Sequence, residues 1–266
     1  SVKINLKNEN DTTYWNGGAW TGTSVWLTCV GTSAWTFNSP SYTSGKIYLV
    51  KTKAVDSATN EETVGSGRSF TYDTTEPVSS IINPANNSYK NSLTVISGTS
   101  SDNSNIINNV KINIKNTVDT TYWTGSTWGA DTWLNVSGTT NWSYGAPGWT
   151  SGTTYIIKSR ATDSAGNVET VGGGNTFTYD TGLPTSSVTY PTDGSTLKAL
   201  TTISGSSSDG LSGVSLVKVQ INNVSDGTYW TGTTWSTNSG WLDATGTTSW
   251  TYGLSSWTNG KSYVIK

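Results

Sequence analysis

Histidine and methionine are absent from this 266-residue chain, cysteine occurs once, phenylalanine three times and proline six times. Without His, and with Cys29 alone, there is no Cys/His zinc set, no Cys dyad and no disulfide framework. Charged residues make up only 12% and the formal net charge is −2, which excludes the basic stripe a nucleic-acid binder needs. No apolar run approaches the roughly 20 residues that span a bilayer as a helix. No signal peptide opens the chain, which points to a mature chain or to a piece of a longer one. No phosphate-cradling loop occurs and no Asp/Glu pair stands apart, so no catalytic residue is assigned and an enzyme is not expected.

Aromatic residues and repetition fill the space left by these absences. There are 14 Trp and 13 Tyr. The octapeptide TYWNGGAW at Thr13–Trp20 returns as TYWTGSTW at Thr121–Trp128 and as TYWTGTTW at Thr228–Trp235. Shifted by about 107 residues, the chain lies on itself. VKIN at Val2–Asn5 matches Val110–Asn113 and Val217–Gln220, Trp35 matches Trp142 and Trp250, and GRSFTYDTTEP at Gly67–Pro77 matches GNTFTYDTGLP at Gly174–Pro184. Cys29 has Val136 and Ala244 as its counterparts, which marks a small buried apolar slot rather than a nucleophile.

Within one copy, VKINIKN (Val110–Asn116) alternates apolar and polar residues, as a half-buried strand does. TYIIKSRATD places Tyr155, Ile157, Ser159 and Ala161 on one face. Each octapeptide reads as a hairpin, with Gly125 supplying a positive φ in the middle copy. Thr-, Ser-, Gly- and Asn-rich segments separate further short strands, and no helical period exceeds a turn or two. The pattern predicts an all-β fold of tandem antiparallel β-sandwich repeats, with turn signals every 8–12 residues or so. Gly45/Tyr48, Gly152/Tyr155 and Gly260/Tyr263 share one spacing, which looks like the tyrosine corner of immunoglobulin-like sandwiches, whose phenol hydroxyl bonds back to the preceding loop.

ATDSAGNVET followed by FTYDTGLP, and the junction YDTTEP at Tyr72–Pro77, are similar to the tandem bacterial immunoglobulin-like (fibronectin-like) repeats of large cell-surface and adhesin proteins. The resemblance implies an extracellular stalk of sandwich domains. The first copy departs from it, reading AVDSATNEET and losing the Gly-Asn of that loop, and the Trp-rich hairpin is not a general feature of such repeats. The expected division is 1–75, a partial repeat lacking its first strands; 76–182, a complete repeat; and 183–266, a repeat truncated before its last strands.

Two groups of residues are candidates for function. Trp15, Trp20, Trp123, Trp128, Trp230 and Trp235 either form an aromatic layer that supplies the core bulk the chain otherwise lacks, or an exposed surface for glycan or for self-association. At the junction between copies, the sandwich topology gathers Asp73 and Glu76 from the linker, Asp102 from one loop, and Asp163 and Asn167 from another. Related adhesin repeats bind calcium at such places, so the resemblance implies a possible calcium site. The bare reading of the same residues is turn formers bonding their own backbone. Sequons at Asn10, Asn86, Asn135, Asn141 and Asn223 permit glycosylation and arise easily in so Asn- and Thr-rich a chain. The expected role is an extracellular stalk, fibre or filament subunit; the alternative is a carbohydrate-binding adhesin module using the hairpins.

Overall fold

A computed structural model describes residues 1–104 and 106–266. Every element among them is a strand, an isolated bridge or a turn, and the pairings are antiparallel. The fold is all-β. Two compact units divide the chain: residues 1–88, 93–148 and 154–177 form one, and residues 89–92, 149–153 and 178–266 the other.

Strand pairings stay within three windows of the sequence. In residues 2–72 the sheet runs in the order Trp20–Thr21, Thr13–Trp15, Val2–Asn8, Lys46–Ala54, Arg68–Tyr72. In residues 78–179 the same order returns as Trp128–Gly129, Tyr122–Trp123, Ile107–Asn116, Thr153–Asp163, Asn175–Tyr179, with Ser88–Lys90 added at the edge. A second, three-stranded sheet there contains Asn141–Gly145, Val95–Ser101 and Val78–Asn83. In residues 185–265 the corresponding sheets are Ser249–Gly253, Thr202–Ser208, Thr185–Tyr190, and Trp235–Ser236, Thr228–Trp230, Ile221–Asn223, Tyr263–Ile265.

Alternation places the cores. Thr153–Asp163 is buried at every second residue along its whole length, because successive side chains of a strand point to opposite faces. Its inward Tyr155, Ile157 and Ala161 join Val110, Ile112 and Ile114 of the neighbouring strand, with Ile96 and Trp142 of the other sheet also buried. In the 185–265 window Ile203, Val217, Val219, Ile221, Trp230, Trp250 and Leu254 form one buried cluster. Cys29 is buried with a free thiol, in the slot its counterparts Val136 and Ala244 half-fill.

The hairpins build an aromatic column inside each copy. Trp123 and Trp128 are directly opposite across the turn, with ring centroids 5.6 Å apart. Trp128 lies 5.5 Å from Tyr155, and Tyr155 stacks on Phe177 at 5.4 Å. The first copy repeats the column as Trp15, Trp20, Tyr48 and Phe70, and the third as Trp230, Trp235 and Tyr263. A Thr/Ser-rich sandwich has little aliphatic bulk, and stacked rings of ~200 Å² each supply the missing apolar area.

Candidate functional site

None of the six hairpin indoles is exposed: Trp230 is buried, and Trp15, Trp20, Trp123, Trp128 and Trp235 are half-buried. Their edges are also engaged, with Trp123 Nε1 donating to Tyr144 Oη at 3.2 Å and Trp230 Nε1 to Tyr252 Oη at 3.2 Å. The Trp residues that do stand exposed are others, Trp35 and Trp241. Both cores cover the Trp142 and Trp250 position by a strand whose Gly98 or Gly205 opposes the indole. Among the described residues no such strand pairs with Trp35, which lies instead in the short ribbon Val30–Gly31/Trp35–Thr36.

The corner tyrosines hold their loops. Tyr48 Oη accepts the Thr43 N–H at 2.9 Å, and Tyr263 Oη accepts the Thr258 N–H at 2.8 Å. Tyr155 occupies the same place in the strand register, deeply buried.

At the junction following Tyr72, the carboxylates of Asp73, Asp102 and Asp163 converge, each with an oxygen within 4.8 Å of the others. Asp163 comes from the end of the Thr153–Asp163 strand and is 0% exposed. Its two oxygens are held by Asn167, through N–H at 2.8 Å and Nδ2 at 2.7 Å. Asp102 Oδ2 takes both the N–H and the hydroxyl of Ser104. Asp73 Oδ1 takes the Thr75 N–H and the Ser44 hydroxyl, each at 3.0 Å. That leaves Asp73 Oδ2 and Asp102 Oδ1, which are buried and have no hydrogen-bond partner. Burial by itself pushes the Asp73 carboxyl up, but hydrogen bonds, the Thr75 N–H foremost and the Ser44 hydroxyl among them, outweigh it and hold it below its ordinary value. Orphaned carboxylate oxygens facing one another in a buried cluster are unfavourable unless a cation neutralises them. An all-oxygen, carboxylate-rich donor set suits a hard cation such as calcium. The residues therefore fit the ion the motif implies.

Two of the five residues singled out for this site act differently. Glu76 turns away and accepts the Thr170 N–H at 2.9 Å. Asn167 braces the cluster by donating from Nδ2 to Asp163 and, at 3.2 Å, to the Asp73 carbonyl. Asn103, which the sequence reading did not single out, ties the same corner by donating to Thr75 Oγ1 at 2.9 Å and Ser44 Oγ at 3.3 Å.

The loop in the first copy is less altered than its sequence suggests. Asn60 bonds Asp56 through N–H and Nδ2 at 2.8 and 2.7 Å, as Asn167 does Asp163. Only the glycine is gone: Thr59 takes φ 70° where Gly166 has 95°. The Asp/Asn pair is thus a local turn device, and the orphaned oxygens beside Asp163 are a separate feature. At the next junction, Asp180 and Asp209 stand where Asp73 and Asp102 do. There Asp180 Oδ1 accepts from Gly182 N and Oδ2 from Ser212 N, while Asp209 Oδ1 accepts from Leu211 N and Gly213 N.

Antiparallel sandwich sheets with corner tyrosines are features of Ig-like domains. Residues 184–265 match the bacterial Ig domain. That match covers the third copy, whose two-sheet strand order recurs in the middle copy and whose hairpin sheet recurs in the first. No curated protein matches the chain. A solved structure similar to it is the crystal structure of chicken CNTN1 FN1-FN3 domains, 11% identical with a TM-score of 0.35, over 99% of this chain and 81% of that one. No helix among the described residues is long and apolar enough to cross a membrane.

Proposed function

We propose that the chain is a structural segment of an extracellular or cell-surface stalk, in which Ig-like repeats are stiffened at the Asp73 junction by a bound calcium ion. The observation that carries this reading is the pair of buried, unpartnered oxygens, Asp73 Oδ2 and Asp102 Oδ1, beside the buried Asp163 carboxylate. Asp73 lies on the segment linking the first window to the second, Asp102 follows one strand of the second and Asp163 ends another, so one ion ties linker to domain. Neutralised, the cluster resists bending where a bare Thr/Glu/Pro linker bends. Side-by-side association of such stalks into fibres is part of the same reading, with neighbouring repeats of the same protein as the partners.

Scanning calorimetry of the chain with calcium and with chelator tests it. The melting temperature rises with calcium, because an ion that binds only the folded state stabilises by ~2.7 kcal/mol at one hundred times its Kd. Asp102→Asn removes most of that increment. A melting temperature indifferent to calcium defeats the reading.

A further inference from the structure

We propose that the outer face of the middle copy binds an acidic polysaccharide, of the uronic-acid class, in the groove between Trp133 and Tyr122. The two long strands of this copy set one pair of cations directly opposite, Lys111 and Arg160, and one step along Lys158 faces the buried Asn113 amide. Lys115 lies one step further along the same face. Like charges directly opposite one another across a ladder are destabilising.

The first copy shows how that repulsion is relieved from within. Lys3 and Lys53 are opposed in the same register, and Glu61 bridges both, at 3.9 Å and 2.7 Å. Lys7 has Glu9 at 3.2 Å. In the middle copy, Val168 stands in the bridge position of Glu61 and Thr117 in that of Glu9. Among the described residues, no ion pair is formed by Lys111, Lys115, Lys158 or Arg160. The middle copy keeps the cations without the two counter-ions of the first, and the one carboxylate of the groove, Asp131, is bonded to Asn113 instead, so an external anion completes it.

The groove is more than charge. Its volume is about 180 Å³, and Asn113, Lys115, Tyr122, Asp131, Trp133 and Lys158 are among the residues lining it. Lys115 lies over the Tyr122 ring at 5.6 Å, and the Arg160 guanidinium lies over Trp133 at 4.5 Å. Positioned over the rings, these cations keep N–H groups for carboxylates, and Arg presents a fork that matches a carboxylate. Asn113 Nδ2 is taken by Asp131 Oδ1 at 2.7 Å and the Thr132 carbonyl at 2.9 Å, which fixes the exposed Asp131 carboxylate so that its other oxygen accepts from sugar hydroxyls. The indole and phenol edges give the C–H face of a sugar ring an apolar wall. The groove lies apart from the Asp73 cluster, so its test does not depend on calcium.

The test is titration calorimetry of the whole chain with oligogalacturonate in calcium-free buffer, with near-UV circular dichroism confirming native Trp packing in each variant. The wild type binds, and binding weakens steeply with salt, as exposed ion pairs do. Val168→Glu restores the counter-ion seen in the first copy at an exposed site and lowers affinity about tenfold or more, and Lys158→Ala and Trp133→Ala each weaken binding. Dextran, which is neutral, gives no heat. No binding by the wild type, or unchanged affinity in Val168→Glu, overturns the proposal. Polyglutamate binding as tightly as oligogalacturonate overturns it in favour of an acidic protein partner.

Discussion

Gly98 sits directly beneath the Trp142 indole, so close that a Cβ there would overlap the ring and the Ser80 carbonyl oxygen. The same arrangement holds between Gly205 and Trp250. The missing side chain is what lets the indole lie across the sheet at 2% exposure, with Trp142 Nε1 donating to the Thr99 carbonyl at 3.1 Å. Gly98→Ala therefore displaces either the ring or the adjacent strand. Overpacking of this kind destabilises by ~1–3 kcal/mol, read as a lower melting temperature together with a loss of near-UV Trp signal.

Removing the corner hydroxyl in Tyr48→Phe leaves the Thr43 N–H without its acceptor. The expected loss is ~1 kcal/mol, measured by urea unfolding with an unchanged m-value. An m-value that also changes indicates a different native or denatured state rather than a lost bond.

Thr59 carries a β-branched side chain at φ 70°, a conformation that disfavours any Cβ by ~1–2 kcal/mol. Thr59→Gly gives back part of that, and the greater freedom of glycine in the unfolded chain offsets some of it. A net gain of ~0.5–1 kcal/mol is expected by chemical denaturation.

Burial pushes the Cys29 thiol above its usual value, so thiolate is scarce at neutral pH and the sulfur is shielded. A thiol reagent added to the native chain reacts slowly, and its rate jumps when the first copy unfolds. Fast labelling at neutral pH without denaturant would contradict the buried placement.

Asp73 has a lowered folded-state value, against ~3.9 in an unfolded chain. Its contribution to stability is therefore present above about pH 4 and is lost as pH falls through the folded value. Calcium sharpens this loss, because the ion needs deprotonated carboxylates. Melting curves from pH 7 down to pH 3 or so, with and without calcium, converge at the acid end.

Period and alternation made much of this protein readable in one dimension. The recurrence of VKIN, TYW and GxxY, and the strict in-out pattern of TYIIKSRA, determined an all-β architecture, the strand faces and the inward Tyr155, Ile157 and Ala161, because a strand's side-chain period is two whatever surrounds it. Composition also determined that no histidine ligand or base and no cysteine pair is present. Tertiary structure alone decided which oxygens of Asp73 and Asp102 are left without partners, that Glu76 turns to Thr170 instead, and that the hairpin indoles pack inward while Trp133 and Tyr122 line an outer groove. Linear spacing cannot carry these, since each depends on which neighbour a side chain meets across a sheet or a junction. The first lysine of the same Lys-x-Asn-x-Lys strand is neutralised in one copy and bare in the next because of Glu61 and Val168, more than fifty residues away along the chain and adjacent only once it folds.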